Sequence, residues 1–536
     1  MSLIDSDCST YIPFKKTGFF STMMCDYIDK SKKIEPYYHN FPDINGFKSQ
    51  IEEKQQSFSK ENRTVLVAAL KDQYKNINVS DKTMFHIDLL ADENTFTVTT
   101  GHQLNLFTGP LYFLYKIISA INLAEELKSQ FPEKNFVPIY WMATEDHDFE
   151  EINFFNFRGK KIQWNSEQSG AVGRFSTEGL EAILDVFKQE IGNSERAKYL
   201  QNLFEEGYVK HTTLTEATRY IANELFAAYG LVIVDADERS LKQLFVPYVK
   251  KELLNQVSFN SVTSTSTALE KVYHAQVNPR EINLFYLTDE LRERIVLEEG
   301  VYKVNNTDIQ FTESQILAEL NDYPERFSPN VIMRPLLQEV ILPNLCYIGG
   351  GGEMAYWMQL KSYFETVSVP FPILLLRNSV QVISEKQFKK LGKLSISVEE
   401  LFYKQNDLLA EKVLSNSESN FDFKAQKQVL EDQFATLRDL ASKTDASFVG
   451  AVNAQEKKQL KGLQNLEKRF LRAEKRKQSD LVTRITLLQN EILPNQSLEE
   501  RQRNFSEFYL EYGNDFIKEL KKELKPLQLE FFVLVK

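Results

Sequence analysis

The segment 95–144, TFTVTTGHQLNLFTGPLYFLYKIISAINLAEELKSQFPEKNFVPIYWMAT, decides the fold class of this chain. It opens with TFTVTT, an alternating pattern that is typical of a strand, and it closes with the apolar run FVPIYWMAT (136–144), which is typical of a buried strand. Between them, residues 111–131 place apolar side chains at helical spacing. Strand, helix and strand predict a parallel βαβ unit with a right-handed crossover.

Four further runs are short and almost continuously apolar: GLVIVDAD (230–237), INLFYLT (282–288), NLCYIGG (344–350) and FPILLLRN (371–378). Such runs indicate strands that helices cover on both faces. The segment ERIVLEEGVYKV (293–304) instead predicts a hairpin, and therefore a partly antiparallel insertion. The predicted fold class is α/β, with a doubly wound parallel sheet interrupted by insertions at about residues 155–330.

Helical patterns flank this sheet on both sides. Residues 1–90 predict a helical lead-in, and apolar positions beyond residue 380 repeat at spacings of three and four residues in two groups: Leu430, Phe434, Leu437 and Ala441, then Leu463, Leu466, Phe470 and Ala473. Two antiparallel helices joined near residues 442–455 would form a coiled-coil hairpin, which either docks on its own core or pairs with a second copy. We therefore predict a core over 1–380, a coiled-coil domain over 381–495 and a C-terminal segment, 496–536, that returns to the core.

Composition limits the class of protein. The 536 residues are 42% hydrophobic and carry a net charge of −11, which argues against an extended nucleic-acid-binding surface. The three cysteines, Cys8, Cys25 and Cys346, lack paired spacing and fit the reducing cytosol as buried or incidental thiols. No signal-peptide pattern and no run of about 18 apolar residues is present, so we predict a cytoplasmic protein without a membrane span.

The tripeptide GHQ follows the first predicted strand, where a parallel sheet commonly binds ligands. His102 could donate hydrogen bonds to an anion, Gln103 could fix the orientation of a ligand, and Gly101 would let the ligand approach the backbone. Thr100 adds a hydroxyl just before them. The alternative is a turn in which the histidine caps the following helix.

The second predicted strand ends in ATEDHDFEEIN (143–153), which should lie at the same edge of the sheet. Glu145, His147 and Asp148 are candidates for acid–base catalysis. Divalent-metal ligation and a solvated acidic loop are the alternatives, and we predict no metal because consecutive residues rarely complete one coordination sphere.

A third candidate region, CYIGGGGEMAYWMQLK (346–361), combines a strand, four glycines and a helix. The glycine backbone, including Gly350 and Gly351, could wrap an anion, whereas Glu353 could either contact a ligand or complement the helix dipole. Arg334 and Arg377, with Asn378 beside the latter, suit carboxylate recognition at strand ends, or else form structural ion pairs. Lys116, on the helix after GHQ, is a further candidate.

These motifs occur in an order that resembles one known family. The segments are TTGHQLNLFTGPLY, VPIYWMATEDHDFEEIN, RPLLQE, YIGGGGEMAYW and LPNQSLEERQRNFSEFYLEYGNDFI, and together with KKTGFFSTMMCDYID near the start they span nearly the whole chain. The sequence resembles the bacillithiol synthase family, BshC. Within the resembling motifs, Asn153 and Trp357 complete the set of predicted substrate contacts.

The resemblance implies a Rossmann-like core similar to that of class I aminoacyl-tRNA synthetases and nucleotidyltransferases, with connecting insertions and a coiled coil that forms a homodimer. It implies a ligase that adds L-cysteine to the amino group of glucosaminyl-malate, and an adenine-nucleotide site near the coiled coil. The synthetase-like HxGH motif corresponds to GHQ, which has one histidine, and the lysine signature after the last strand has no match in RNSVQVISEKQFKKLGKL (377–394).

Two routes to activated cysteine therefore stay open. In one, ATP or ADP with Mg²⁺ activates the cysteine carboxyl, for example as an adenylate, and His102 or His147 accepts the proton of the attacking amine while Glu145 or Asp148 orients the imidazole. In the other, a second protein supplies activated cysteine. The alternative from another class of protein is a non-catalytic nucleotide-binding scaffold that dimerises through its coiled coil.

Overall fold

A computed structural model describes residues 9–417 and 423–536 of the chain. Its strands in chain order are β1 (Thr10–Ile12), β2 (Thr95–His102), β3 (Asn135–Met142), β4 (Phe154–Phe157), β5 (Lys160–Gln163), β6 (Val232–Asp235), β7 (Leu284–Thr288), β8 (Leu291–Glu298), β9 (Val301–Val304), β10 (Gln310–Phe311), β11 (Phe327–Pro329), β12 (Asn344–Gly349), β13 (Ile373–Leu376), β14 (Val380–Ile383) and β15 (Phe531–Val535).

The α-helices in chain order are α1 (Phe14–Thr17), α2 (Thr22–Ile28), α3 (Ile44–Ser57), α4 (Lys60–Tyr74), α5 (Asp81–Leu89), α6 (Tyr112–Gln130), α7 (Phe149–Ile152), α8 (Leu180–Ile191), α9 (Glu195–Phe204), α10 (Leu214–Phe226), α11 (Arg239–Asn255), α12 (Val257–Leu269), α13 (Glu313–Asp322), α14 (Arg334–Ile341), α15 (Gly351–Met358), α16 (Lys361–Val367), α17 (Glu385–Lys393), α18 (Gln405–Ser415), α19 (Phe423–Ala441), α20 (Ala446–Lys477), α21 (Ser479–Ile492), α22 (Glu499–Gln502), α23 (Phe505–Tyr512) and α24 (Asp515–Glu523).

The central sheet has five parallel strands in the order β13-β12-β2-β3-β6. Its first strand in the chain, β2, lies in the middle, so the chain builds one half through β3 and β6 and then the other half through β12 and β13. This is the doubly wound, Rossmann-like arrangement, and the predicted fold class is confirmed. The order of the strands reverses between β2 and β12, which places the favoured ligand position at the carboxyl ends of those two strands.

The βαβ unit forms as its sequence predicts. Helix α6 contacts β2 and β3, and the apolar positions expected on its inner face, including Phe113, Ile117 and Ile121, are buried. Phe96 and Val98 of β2 pack with Ala120 on one face of the sheet. Apolar burial on both faces explains why these strands read as nearly continuous apolar runs.

One strand assignment is wrong. The run INLFYLT was expected in the helix-covered sheet, but β7 belongs to an antiparallel sheet in the order β10-β9-β8-β7-β11. Two residues alone separate β7 from β8, and so short a link permits only antiparallel pairing. The predicted hairpin over 293–304 is confirmed by the pairing of β8 with β9.

After β14, the described residues form helices up to the last strand, β15. Helices α19 and α20 form the predicted hairpin, joined at residues 442–445, with Phe434, Ala441 and Val452 buried between them. The chain then returns to the core, where β15 pairs in parallel with β14 and in antiparallel fashion with β1. Within the described residues, no helix combines the length and the apolar composition that crossing a membrane requires. Cys8 lies outside the described residues, and Cys25 and Cys346 are free thiols.

Candidate active site

A cavity of about 620 Å³ opens at the carboxyl ends of β2, β3 and β12. Strand ends supply one wall, and the antiparallel insertion supplies another through Arg280, Arg292 and Arg294. The volume lies in the range of small-molecule sites, about 300–1,000 Å³. Eight of the predicted site residues line it: Gly101, His102, Gln103, Lys116, Glu145, His147, Arg334 and Glu353.

The GHQ tripeptide lies at the end of β2. Burial is the main cause that lowers the pKa of His102 to about 3, and a hydrogen bond with the backbone of Thr108 opposes it. The hydrogen bond with Thr108 favours the protonated ring, so the ring is the donor in it. Since the buried Nε2 has no partner, the donor is the Nδ1–H group. His102 is thus neutral near pH 7 with a lone pair on Nε2, while Gln103 Nε2 donates to Asp146 Oδ2 and Glu151 Oε2, each at 2.9 Å.

A buried ion pair joins GHQ to the glycine loop. Lys116 Nζ lies 2.6 Å from Glu353 Oε2 and donates to the carbonyl oxygen of Gly101 at 2.7 Å. Glu353 also accepts hydrogen bonds from the Tyr347 hydroxyl at 2.6 Å and from the Gly350 N–H at 2.8 Å. Burial raises the pKa of Glu353, but the Lys116 charge and these donors outweigh it, so the pKa lies below its usual value. The Glu353 carboxylate is therefore ionised at neutral pH, whereas burial lowers the pKa of Lys116 and the Glu353 charge opposes that fall.

The residues after β3 separate into different environments. Glu145 is buried and pairs with Lys242; burial raises the pKa of Glu145 and the ammonium opposes that rise. His147 lines the cavity and accepts a hydrogen bond at Nδ1 from Arg292. Asp148 is exposed, lies outside the cavity lining and is the N-cap residue that precedes α7. The carboxylate closest to the His147 ring is Asp146, whose Oδ1 lies 3.9 Å from Nδ1.

Arg334 has no carboxylate partner among the described residues. Its Nη groups donate to Gln338 Oε1 and to the Tyr356 hydroxyl, both at 3.2 Å. The guanidinium lies over the rings of three aromatic residues at 5.7–5.9 Å: Trp141, Tyr347 and Trp357. A half-buried cation near aromatic faces, with no carboxylate of the described residues within ion-pair distance, suits a ligand carboxylate or phosphate, although the charge of Glu353 acts on it from farther away.

The glycine loop and the end of β13 lie apart from the main cavity. Gly350, Gly351 and Arg377 line a smaller cavity of about 190 Å³. Arg377 is buried, and its Nη1 and Nη2 donate to the two carboxylate oxygens of Glu500 at 3.0 and 2.7 Å. Arg377 was predicted either to bind a ligand carboxylate or to form a structural ion pair, and its contacts match the ion pair.

Four other predicted site residues, Thr100, Asn153, Trp357 and Asn378, are buried outside both cavity linings. The Thr100 hydroxyl donates to the Ile348 carbonyl at 2.8 Å, and Asn378 accepts from Ser119 at 2.9 Å. Trp357 stacks on Tyr347 with 4.6 Å between ring centroids, and both polar side-chain atoms of Asn153 are buried without a partner. The substrate roles of all four residues stay predictions; the contacts of Thr100, Asn378 and Trp357 fit a structural role, namely support of the sheet and of Tyr347.

The structure brings cationic residues to the cavity that the sequence reasoning missed. Arg292 and Arg294 of β8 line the cavity, as does Arg280, whereas Lys242 of α11 is not part of the lining and reaches the site through its pair with Glu145. The sequence signal available was the spacing of Arg292 and Arg294 in LRERIV. Residues two apart on a strand lie on the same face, so the two arginines should face the same side of the sheet. Across the described residues, no group of three or more His, Cys, Asp or Glu side chains is placed to hold a metal ion.

A Rossmann-like sheet with a cavity at its carboxyl edge, lined by several charged side chains, is the arrangement typical of α/β enzymes. The chain belongs to the BshC family of bacillithiol biosynthesis. Residues 8–378 match the family described as "Bacillithiol biosynthesis BshC, N-terminal Rossmann-like domain", and residues 380–535 match its "C-terminal coiled-coil domain". The predicted family is therefore confirmed over almost the whole chain.

Relatives from three bacteria agree with this assignment. Proteins named "Putative cysteine ligase BshC" are 56% identical over 529 residues in Flavobacterium johnsoniae (99% of each chain) and 56% identical over 528 residues in Christiangramia forsetii (98% of each chain). A protein of the same name in Bacillus cytotoxicus is 28% identical over 520 residues, covering 93% of this chain and 95% of the relative. The names of these relatives confirm the prediction that the chain is an enzyme of the ligase class.

Proposed function

We propose that this protein joins the carboxyl group of L-cysteine to the amino group of glucosaminyl-malate, forming an amide and completing bacillithiol. The observation that carries the proposal is the cavity at the carboxyl edge of the sheet, where the guanidinium of Arg334 lies without a carboxylate partner from the described residues. The names of the relatives support the use of cysteine. A chain with few cysteines also fits a reaction in the reducing cytosol.

The charge of the cavity supports glucosaminyl-malate as the amine substrate. Malate carries two carboxylates, and planar guanidinium groups bind carboxylates through paired hydrogen bonds. Arg280 and Arg294 line the same cavity as Arg334, and no ion pair joins any of the three to another described residue. We assign the malate carboxylates to this group and the sugar to the polar strand ends near GHQ.

Amide formation from a free carboxylate needs an activated acyl group. ATP or ADP with Mg²⁺ would supply that activation when bound. The donors that fit phosphate oxygens are the N–H groups of Gly351 and Gly352, which begin α15, have no partner within the helix and line the smaller cavity. The Gly350 N–H is already bound to Glu353, so the glycine loop offers fewer donors than its sequence indicates.

The attacking amine must be neutral. We assign His102 as its hydrogen-bond acceptor, because the ring is uncharged and its Nε2 has no partner among the described residues; Nε2 is buried, so substrate binding must uncover it. A pKa of about 3 makes this imidazole a weak base, so in our proposal the amine proton passes on to solvent. Lys116 and Glu353 hold the strand end and the glycine loop at fixed separation around the reacting groups.

We also propose that the coiled coil forms a homodimer. Apolar side chains along α19 and α20 are exposed, including Val429 at 64%, Leu440 at 57% and Leu466 at 56%. Burial of such side chains against a second copy would remove them from water. An adenine nucleotide near the base of the coiled coil is part of the same family-based proposal.

A direct assay tests the ligase. Purified protein is incubated with glucosaminyl-malate, L-cysteine, ATP or ADP, and Mg²⁺, and mass spectrometry follows the amide product together with AMP and ADP. We expect the amide, and we expect Arg334→Gln to raise KM for glucosaminyl-malate at least tenfold, while the exposed coiled-coil variant Arg472→Gln behaves as wild type.

Three results would count against the proposal or against a part of it. Absence of the amide under every nucleotide condition, from a folded dimer, would favour the non-catalytic scaffold, for which the exposed apolar face of the coiled coil is the supporting observation. An amide formed only after adding a cell extract would indicate that a second protein supplies activated cysteine. Unchanged turnover of His102→Ala would remove GHQ from the chemistry.

A further inference from the structure

His147 is the imidazole closest to the arginines of the inserted sheet. Arg292 Nη1 contacts its Nδ1 atom, and the other guanidinium nitrogens are fixed as well: Nε donates to Ser328 Oγ at 3.0 Å and Nη2 to the Pro329 carbonyl at 3.2 Å. The guanidinium also lies 4.1 Å from the ring centroid of Phe285. The Arg292 side chain is thus held in one orientation before any substrate binds.

The hydrogen bond between Arg292 and His147 can have only one direction. A guanidinium has donors and no acceptor, and it stays protonated in proteins, so Nδ1 of His147 must be the acceptor. A neutral imidazole that accepts at Nδ1 carries its proton on Nε2. Nε2 makes no hydrogen bond with the described residues, and the ring lines the main cavity.

The charges around His147 maintain this state. Burial first, and then the charge of Arg292, lower the pKa of His147, whereas Asp146, Asp148 and Glu293 act in the opposite direction. Asp146 also accepts the His147 backbone N–H at 2.8 Å, which fixes the start of the loop. At neutral pH the ring therefore presents an N–H group to the cavity.

We propose that His147 is a hydrogen-bond donor to the substrate and that Arg292 is the positioning residue that selects its tautomer. The inference rests on the proposed function: the acceptor is the acyl oxygen of cysteine, which becomes negative as the amine attacks. A neutral donor at that oxygen stabilises the developing charge without giving up its proton. This role differs from the base that the sequence pattern predicts for His147.

The tautomer is measured in the resting protein without substrate. Solid-state ¹⁵N NMR of the full chain labelled only at its six histidines, with His147 assigned through His147→Gln, should show a protonated Nε2 and an unprotonated Nδ1 at pH 7. In Arg292→Met, we expect both tautomers and a raised pKa of His147; Arg292→Lys, which keeps a donor, should retain the Nε2–H form. A charged ring or an Nδ1–H tautomer in the wild type would overturn the proposal.

Kinetics test the donor role. Gln presents an N–H group but cannot act as a base near neutral pH, so His147→Gln should keep kcat within about tenfold of the wild type. His147→Leu should lose about 10²- to 10³-fold, as expected when one such donor is removed. Equal losses in the two variants would overturn the donor role. If the wild type forms no amide at all, the proposed function fails, and the NMR result still decides whether Arg292 sets the tautomer.

Discussion

The buried pair between Lys116 and Glu353 gives the sharpest test of how the cavity is held together. We consider Glu353→Gln, which keeps the shape of the side chain and removes its charge. The amide oxygen can still accept from Lys116 and from the Gly350 N–H, and the amide nitrogen can face the Tyr347 hydroxyl, so the change isolates the loss of charge.

The magnitude follows from the geometry. At 2.6 Å, a pair of unit charges attracts with about 6 kcal/mol at an effective dielectric constant of about 20, and desolvation of the two ions offsets much of this. Removal of one partner from a buried pair costs about 3–5 kcal/mol because a buried charge is left without compensation. We expect the lower end, about 3 kcal/mol, since Lys116 is 4% exposed but Glu353 is 25% exposed.

The assay is a double-mutant cycle on unfolding by urea, with Glu353→Gln, Lys116→Met and both together. We expect the double variant to be at least about 1 kcal/mol more stable than the sum of the single losses predicts. The matched control is Glu190→Gln in the exposed pair with Lys160, which has a similar 2.7 Å distance and should lose less than about 1 kcal/mol. Single losses that add within about 0.5 kcal/mol would refute the reasoning.

Three further outcomes follow from the same contacts. Arg377→Met should lower stability by about 3–5 kcal/mol and leave KM for either substrate nearly unchanged, because its bidentate partner is the buried Glu500. Folding lowers the pKa of His102 from 6.5 to about 3, so the unfolded chain binds the proton first as the pH falls. The free energy of unfolding should therefore decrease below pH 6.5, by up to about 1.4 kcal/mol per pH unit. His102→Gln should reduce this dependence of the free energy of unfolding on pH. Leu440→Glu with Leu466→Glu should yield monomers in size-exclusion chromatography with light scattering.

A different result would contradict each of these three predictions. A raised KM in Arg377→Met at unchanged stability would return that arginine to substrate binding. An identical acid slope with and without the imidazole would show that His102 is protonated alike in the folded and unfolded states. For the dimer, Phe85→Glu in the N-terminal helices changes an equally exposed apolar residue, at 59%, and should leave the mass unchanged. A dimer that survives the paired glutamates would place the interface elsewhere.

The parts of the fold that sequence predicts well are those with local causes. The βαβ unit over 95–144 is confirmed because alternation and helical spacing are properties of neighbouring residues. The run INLFYLT was misassigned because apolar character reports burial but not the identity of the pairing strand. The two-residue link to β8 decides that pairing, and apolar character does not report the length of a link.

For the candidate site as well, the sequence predicted features with local causes and missed those that depend on distant segments. GHQ, Glu145, His147 and Glu353 were found because the carboxyl ends of parallel strands meet at one edge, which topology alone dictates. The partners that set their chemistry come from distant segments: Lys242 from α11, Arg292 from the insertion, and Glu500 more than 100 residues after Arg377. No local pattern reports such long-range contacts, so charge states and tautomers required the three-dimensional structure.

The central claim is that the cavity beside GHQ binds glucosaminyl-malate through its arginines. The most direct measurement is a crystal structure of the protein with glucosaminyl-malate bound. We expect the ligand in the 620 Å³ cavity, with a malate carboxylate within hydrogen-bond distance of the Arg334 guanidinium. Ligand density in the smaller cavity at Arg377, or along the coiled coil with the main cavity unchanged, would contradict the account.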